Sequence, residues 1–138
     1  MTAIAESPTG VLDIPQISFV RPLPGLGEAR RFALMGIDDA GVLYSLQCLD
    51  SPDIRLVVAA PAAFFPDYSP EIDEQAVCDL GLSTAEDALL LVVLTVADSL
   101  QASTANLLAP IVIHRDTRAA AQVVLANSDL PLRAPLAA

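Results

Sequence analysis

Short apolar runs separated by turn residues recur along most of this chain, at intervals of roughly 8–12 residues. The runs span residues 12–20, 31–37, 42–49, 54–60, 89–96, 107–115 and 121–126. A parallel α/β sheet would need a helix at each crossover, and few residues remain between these runs to supply one. The sequence therefore predicts a mainly β protein: a single-domain antiparallel β-barrel-like or sandwich fold with one or two short helices.

Two short segments carry helix signals. In residues 73–81, Asp73 can cap the first turn and Gly81 can end the helix. The apolar side chains of this segment then share one face: Ile72, Ala76, Val77 and Leu80. Residues 83–86 match a capping box and predict a single helical turn.

The length of 138 residues suits one domain. We expect a loose polar tail over residues 1–10, a single β domain over residues 11–130 and a C-terminal tail over residues 131–138 without regular structure. Pro15 has no amide hydrogen to donate, so the first apolar run is expected at a sheet edge or in a hairpin.

The most apolar stretch, residues 88–97, is too short to cross a bilayer, which takes about 20 apolar residues in a helix. It predicts a buried strand. The N-terminus carries Glu6 before any apolar run and has no positively charged region, so we expect no signal peptide and a cytoplasmic protein. In that compartment Cys48 and Cys78 are expected as buried, unpaired thiols.

Charge is distributed unevenly along the chain. The formal net charge is -10, and no Lys or Arg occurs between Arg55 and Arg115. The acidic residues inside that interval are Asp67, Glu71, Asp73, Glu74, Asp79, Glu86, Asp87 and Asp98. This balance argues against direct nucleic-acid binding, which needs a basic face, and favours a basic protein partner.

Little in the sequence suggests catalysis. His114 is the only histidine, it ends an apolar run, and no serine lies in a nucleophile-elbow pattern. A small hydrolase using His114 therefore stays a remote alternative, and we expect no enzyme activity, no metal and no cofactor. A divalent cation among Asp67, Glu71, Asp73 and Glu74 is disfavoured because calcium-loop spacing is missing. We favour a solvated acidic face that binds a partner.

Three of the six Phe and Tyr residues lie within residues 64–68, next to prolines. In an extended chain, consecutive side chains point to opposite sides, so Phe64 and Phe65 could not both be buried against one core. At least one ring is expected to face outward, and Phe64, Phe65 and Tyr68 are predicted to form an interaction surface. Core capping is the structural alternative. Asn106 has two interpretations as well: bridging backbone groups in a turn, or making a polar contact beside the aromatic groove.

Several strings occur in a characteristic order: Leu23-Pro24-Gly25, Leu46-Gln47, Pro61 with the Phe-Phe-Pro-Asp-Tyr of residues 64–68, Thr95-Val96, residues 104–113 and residues 122–125. Together they resemble the FliW family of bacterial flagellar assembly factors over roughly residues 17–125.

The resemblance implies a compact β-barrel-like protein without catalytic activity that binds flagellin and the RNA-binding translational regulator CsrA. Release of flagellin would free the protein to bind CsrA and relieve repression of flagellin mRNA. The residues predicted to contact partners are Phe64, Phe65, Asp67, Tyr68, Glu71, Asp73, Glu74 and Asn106. We expect a monomer with no membrane contact. A general acidic chaperone for aggregation-prone secretion substrates is the second hypothesis.

Overall fold

The computed structural model describes residues 14–21, 30–37, 42–51, 53–66, 68, 70, 72–99, 102–125 and 130–136. The expected N-terminal tail over residues 1–10 lies outside these ranges. Within them the strands are β1 (Ile14–Phe19), β2 (Arg31–Gly36), β3 (Leu43–Cys48), β4 (Arg55–Ala59), β5 (Ala88–Thr95), β6 (Thr104–Ala105), β7 (Ile111–His114), β8 (Ala119–Gln122) and β9 (Ala134–Pro135). The one α-helix of the described residues, α1, spans Glu74–Leu80.

The strands form one sheet that closes on itself. Its order is β4-β3-β2-β1-β8-β7-β5-β6-β9, and an additional pairing of β4 with β5 completes a seven-strand barrel. The closing pair aligns Val57 with Leu94 and Ala59 with Val92. The predictions of a mainly β fold and of a barrel-like sheet are confirmed.

Of the two placements predicted for the first apolar run, the sheet edge is wrong, whereas β1 does pair antiparallel with the next strand, β2. It lies between β2 and β8 and is not an edge strand, because Ser18 and Phe19 also pair in parallel with Ala119 and Ala120 of β8. The ladder with β2 shifts register between Ile14 and Ile17. Pro15 falls in that interruption, where a missing amide hydrogen costs no ladder hydrogen bond.

Alternate residues of the barrel strands form the interior core. Phe32, Leu46, Leu91, Ile111 and Ile113 are essentially inaccessible to solvent and belong to one cluster. Neighbouring residues on the same strands point outward, where two further apolar clusters cover parts of the barrel wall. The first, here called the Leu107 cluster, comprises Ala59, Val92, Leu94, Ala105, Leu107, Ala134 and Leu136. The second, the helix cluster, comprises Ala76, Leu80, Val112, Ala121, Val123 and Leu125.

Helix α1 forms where the sequence predicts it. The Asp73 carboxylate accepts a hydrogen bond from the Ala76 amide, and Gly81 ends the helix in the left-handed conformation at φ 67°. Ala76 and Leu80 are buried on the face that packs against β8. The predicted turn after it is a 3-10 helix over Ala85–Asp87.

Three predictions about element ends are wrong. The run 107–115 is a strand only from Ile111 onward, because residues 106–110 form a turn. The run 121–126 forms its strand earlier, at Ala119–Gln122. The C-terminal segment contains β9, which pairs antiparallel with β6, so regular structure continues past residue 130.

The apolar stretch 88–97 contains strand β5, as predicted. Among the described residues, none of the helices has the length and apolarity that a membrane crossing requires. Both cysteines are free: Cys48 is buried as expected, whereas Cys78 is exposed on α1, which corrects the prediction of two buried thiols.

Candidate partner-binding surface

The aromatic segment turns sharply after β4. Pro61–Ala63 forms a 3-10 helix, and the carbonyl oxygen of Pro61 accepts hydrogen bonds from the amides of Phe64 and Phe65 at 3.0 and 2.7 Å. Because the chain is folded back here, side chains do not alternate as they do in a strand. The premise of an extended chain is therefore wrong.

Phe64 and Phe65 lie on the same side of the segment. Their ring centroids are 6.5 Å apart, with the planes tilted by 54°. Both rings are partly buried against the Leu107 cluster, so neither points wholly into solvent. The two rings cap the outer wall of the barrel and keep part of their surface accessible.

Tyr68 fastens this segment to a distant loop. Its hydroxyl donates a hydrogen bond of 2.6 Å to the carbonyl oxygen of Leu107. Burial raises the pKa of Tyr68 to about 12, so the hydroxyl stays protonated and able to donate even above its ordinary pKa of 10. The ring itself packs against the same cluster as the two phenylalanines.

Asn106 shapes the loop that Tyr68 contacts. Its Oδ1 atom accepts hydrogen bonds from the amides of Leu108 and Ala109, each at 3.1 Å. The backbone amide of Asn106 donates a hydrogen bond to the carbonyl oxygen of Val93 in β5. Asn106 therefore bridges backbone groups in a turn, as the first interpretation predicts. Its contact with a partner stays a prediction.

The described acidic candidates lie at the start of α1. Asp73 caps the helix through a 2.8 Å hydrogen bond, and both Asp73 and Glu74 are exposed. Negative charge is favourable at this end of a helix because the unpaired amides there carry partial positive charge. Asp67 and Glu71 lie outside the described residues.

The structure brings the predicted residues together in two groups. Phe64, Phe65 and Tyr68 pack on the Leu107 cluster beside the loop of Asn106, whereas α1 with its acidic start packs on the helix cluster. Leu130 contacts both clusters and so links them.

Sequence reasoning missed a pocket beside α1. It has a volume of about 370 Å³ and is lined by Pro70, Ile72, Val77, Leu82, Ser83, Thr84, Ala88 and Leu90. The apolar face of α1 was predicted, but nothing in its residue pattern indicates that part of this face would stay uncovered. The carboxylate of Asp87 accepts hydrogen bonds from the Ser83 and Thr84 amides, and these bonds hold the pKa of Asp87 below its usual value.

His114 occupies a buried position at the end of β7. Its Nδ1 atom accepts hydrogen bonds from the amides of Asp116 and Thr117 at 3.1 and 3.4 Å. These contacts shape the turn into β8. Among the described residues, no three His, Cys, Asp or Glu side chains come together as metal ligands.

The fold and the position of these groups define a class: a small closed β-barrel that carries its candidate residues on the outside of its wall. The sequence model of the FliW protein family matches residues 3–136. The chain belongs to the FliW family.

Individual relatives support this assignment. The flagellar assembly factor FliW of Syntrophomonas wolfei is 38% identical over 120 residues, which cover 87% of this chain and 77% of the relative. The FliW of Bacillus subtilis is 32% identical over 120 residues, covering 87% and 84%. A crystal structure of the flagellar assembly factor FliW superposes with a TM-score of 0.84 at 31% identity, covering 90% of this chain and 86% of the other.

Proposed function

We propose that this protein is a cytoplasmic, non-enzymatic flagellar assembly factor that alternates between flagellin and a CsrA-type RNA-binding regulator. Binding the regulator relieves its repression of flagellin translation, and flagellin competes for the protein. The observation that carries the proposal is the FliW family match across residues 3–136.

Electrostatics support a basic partner. Between Arg55 and Arg115 the chain holds eight acidic residues and no Lys or Arg. Two described arginines contact residues of this interval: Arg21 Nη2 lies 3.7 Å from Asp79 Oδ2, and Arg115 Nε donates to the carbonyl oxygen of Glu86. Such a surface speeds association with a basic RNA-binding protein and disfavours RNA remaining bound nearby.

The aromatic segment supplies apolar contact area. Phe64, Phe65 and Tyr68 are partly buried, so a partner can cover the remaining ring surface without any unfolding of the Leu107 cluster. Aromatic side chains are enriched where binding energy is concentrated in protein interfaces. We propose that these rings, with Asp67, Glu71, Asp73, Glu74 and Asn106, form the contact surface.

An RNA-displacement assay tests the switch. The regulator is first bound to a flagellin mRNA leader, this protein is added, and flagellin is added last. We expect the protein to release the RNA and flagellin to restore the RNA complex. If RNA stays bound after the first addition, the regulatory branch of the proposal is wrong.

Calorimetry with variants tests the surface. Phe65→Ala and the double change Asp73→Ser with Glu74→Gln are expected to weaken binding of at least one partner roughly tenfold or more. Met35→Ala on β2 and Asp53→Asn after β3 are matched controls, because they remove an exposed apolar group and an exposed charge outside the acidic interval. Unchanged affinity for both partners in every surface variant would contradict the proposed surface. Equal binding of unrelated unfolded proteins would favour the general chaperone.

A further inference from the structure

The pocket beside α1 is an apolar depression in the outer wall of the barrel. Its apolar lining includes Ile72 just before α1, Val77 of α1, Leu82 of the connecting loop, and Ala88 and Leu90 of β5. All five side chains are partly buried, and four of them pack against the helix cluster: Ile72, Leu82, Ala88 and Leu90. Its volume of about 370 Å³ lies at the lower end of the range for ligand sites.

Two pairs of acidic residues adjoin lining residues of this pocket in the sequence. Asp73 and Glu74 directly follow Ile72 on the helix side, and both are exposed. Glu86 and Asp87 directly precede Ala88, the lining residue with which β5 begins.

The Asp87 carboxylate is fixed at the pocket by the amides of Ser83 and Thr84, two of the lining residues, at 2.9 and 3.0 Å. Arg115 is the described cation beside this side of the pocket, and its Nε donates to the backbone oxygen of Glu86 rather than to a carboxylate. Arg21 lies near Asp79, further along α1. The salt bridges of the described residues join Arg21 to Asp79 and Arg31 to Asp50, so none of them neutralises the carboxylates next to the pocket.

We infer that this pocket receives an aliphatic side chain from a positively charged segment of the protein's basic partner. The inference rests on the proposed function and adds an anchoring site to it. The apolar lining favours an aliphatic group, while the acidic residues next to the lining residues favour Lys or Arg as its neighbours in the partner. An acidic or uncharged segment would make the apolar contact but would lack the electrostatic attraction to the acidic residues next to the pocket.

Thr84→Trp tests the anchor. Thr84 is exposed at the pocket, so a large ring there is expected to block entry without disturbing the barrel interior. We expect the variant to bind the CsrA-type regulator roughly tenfold to a hundredfold more weakly, the loss that matches one buried aliphatic side chain. Thr84→Ser is the conservative control and should bind as the parent does. If Thr84→Trp does not fold, as judged by thermal unfolding, Ser83→Trp replaces it.

A synthetic peptide of alternating arginine and leucine tests the chemistry directly. In two-dimensional NMR, we expect it to shift the amide signals of Val77, Leu82 and Ala88. Peptides with leucine replaced by alanine, or arginine replaced by glutamate, should bind at least about tenfold more weakly.

The outcomes separate the two claims. Parental affinity for the regulator in Thr84→Trp, or shifts that spare the pocket residues, would overturn the anchor and leave the proposed function standing if Phe65→Ala still weakens binding. Failure of the unmodified protein to bind the regulator would overturn the proposed function itself.

Discussion

The hydroxyl of Tyr68 and the carbonyl oxygen of Leu107 are joined by a hydrogen bond of 2.6 Å between residues 39 positions apart in the chain. The bond ties the aromatic segment after β4 to the loop between β6 and β7. Both ends of the bond belong to strings that carried the family resemblance. Part of the distinctive sequence of this chain therefore has a structural purpose that is separate from any partner contact.

Replacing Tyr68 with Phe is expected to lower the free energy of unfolding by about 1 kcal/mol, because the carbonyl of Leu107 loses its donor. Urea denaturation of the parent and the variant measures the difference. Tyr68→Ala removes the packed ring as well and should cost roughly 2–4 kcal/mol. Identical midpoints for the parent and Tyr68→Phe would show that the hydrogen bond does not contribute to stability.

Replacing Asp73 with Ala is expected to destabilise the protein by about 1 kcal/mol, since the Ala76 amide loses its capping acceptor. Asp73→Ser keeps a capping oxygen and removes the charge, so its stability should stay near that of the parent. Thermal unfolding separates the two variants. Equal losses in both would indicate that the charge, not the cap, stabilises α1.

Replacing Asn106 with Ala should cost about 1–2 kcal/mol, because the amides of Leu108 and Ala109 both lose their acceptor. Asn106→Asp retains an acceptor oxygen at the same place and is expected to retain most of the stability. Chemical denaturation curves of the three proteins give the comparison. If Asn106→Asp folds normally yet loses partner binding, the side-chain amide group makes the predicted contact.

Asp87 is expected to give the protein a pH-dependent stability. Hydrogen bonds from the Ser83 and Thr84 amides hold its pKa in the folded state below the ordinary value of 3.8. A lowered folded-state pKa means that the stabilisation is present above the unfolded-state pKa and is lost as pH falls through the folded-state pKa. Urea midpoints of the parent and Asp87→Asn, measured from pH 6 down to about pH 3, should therefore converge at the acid end. A constant difference across that range would contradict the assignment.

The β architecture could be predicted because its signals are local. The spacing of apolar runs indicated strands, and the two ends of α1 were found from Asp73 and Gly81, whose roles depend only on neighbouring backbone groups. The long apolar stretch was correctly assigned to a buried strand because it is continuously apolar yet too short for a membrane helix.

Contacts between distant parts of the chain could not be predicted in this way. Strand β9 is only two residues long and exists because β6 offers it a partner. The parallel pairing of β1 with β8 likewise depends on barrel closure, and it moved the first strand away from the sheet edge that Pro15 suggested. The orientation of Phe64 and Phe65 depends on the turn at Pro61, which folds an apparently extended segment back on itself.

The pairing of β1 with β8 has a consequence for synthesis on the ribosome. Ser18 lies beside Ala119, so the barrel joins segments separated by about 100 residues of chain. Hairpins such as β2–β3 can form as soon as they emerge from the ribosome. The sheet keeps unpaired edges at β1 and β7 until β8, which pairs with both strands, has been translated. A nascent chain stalled before residue 119 should therefore expose unpaired strand edges and attract chaperones. A chain released after residue 122 contains all of β8 and can close the barrel.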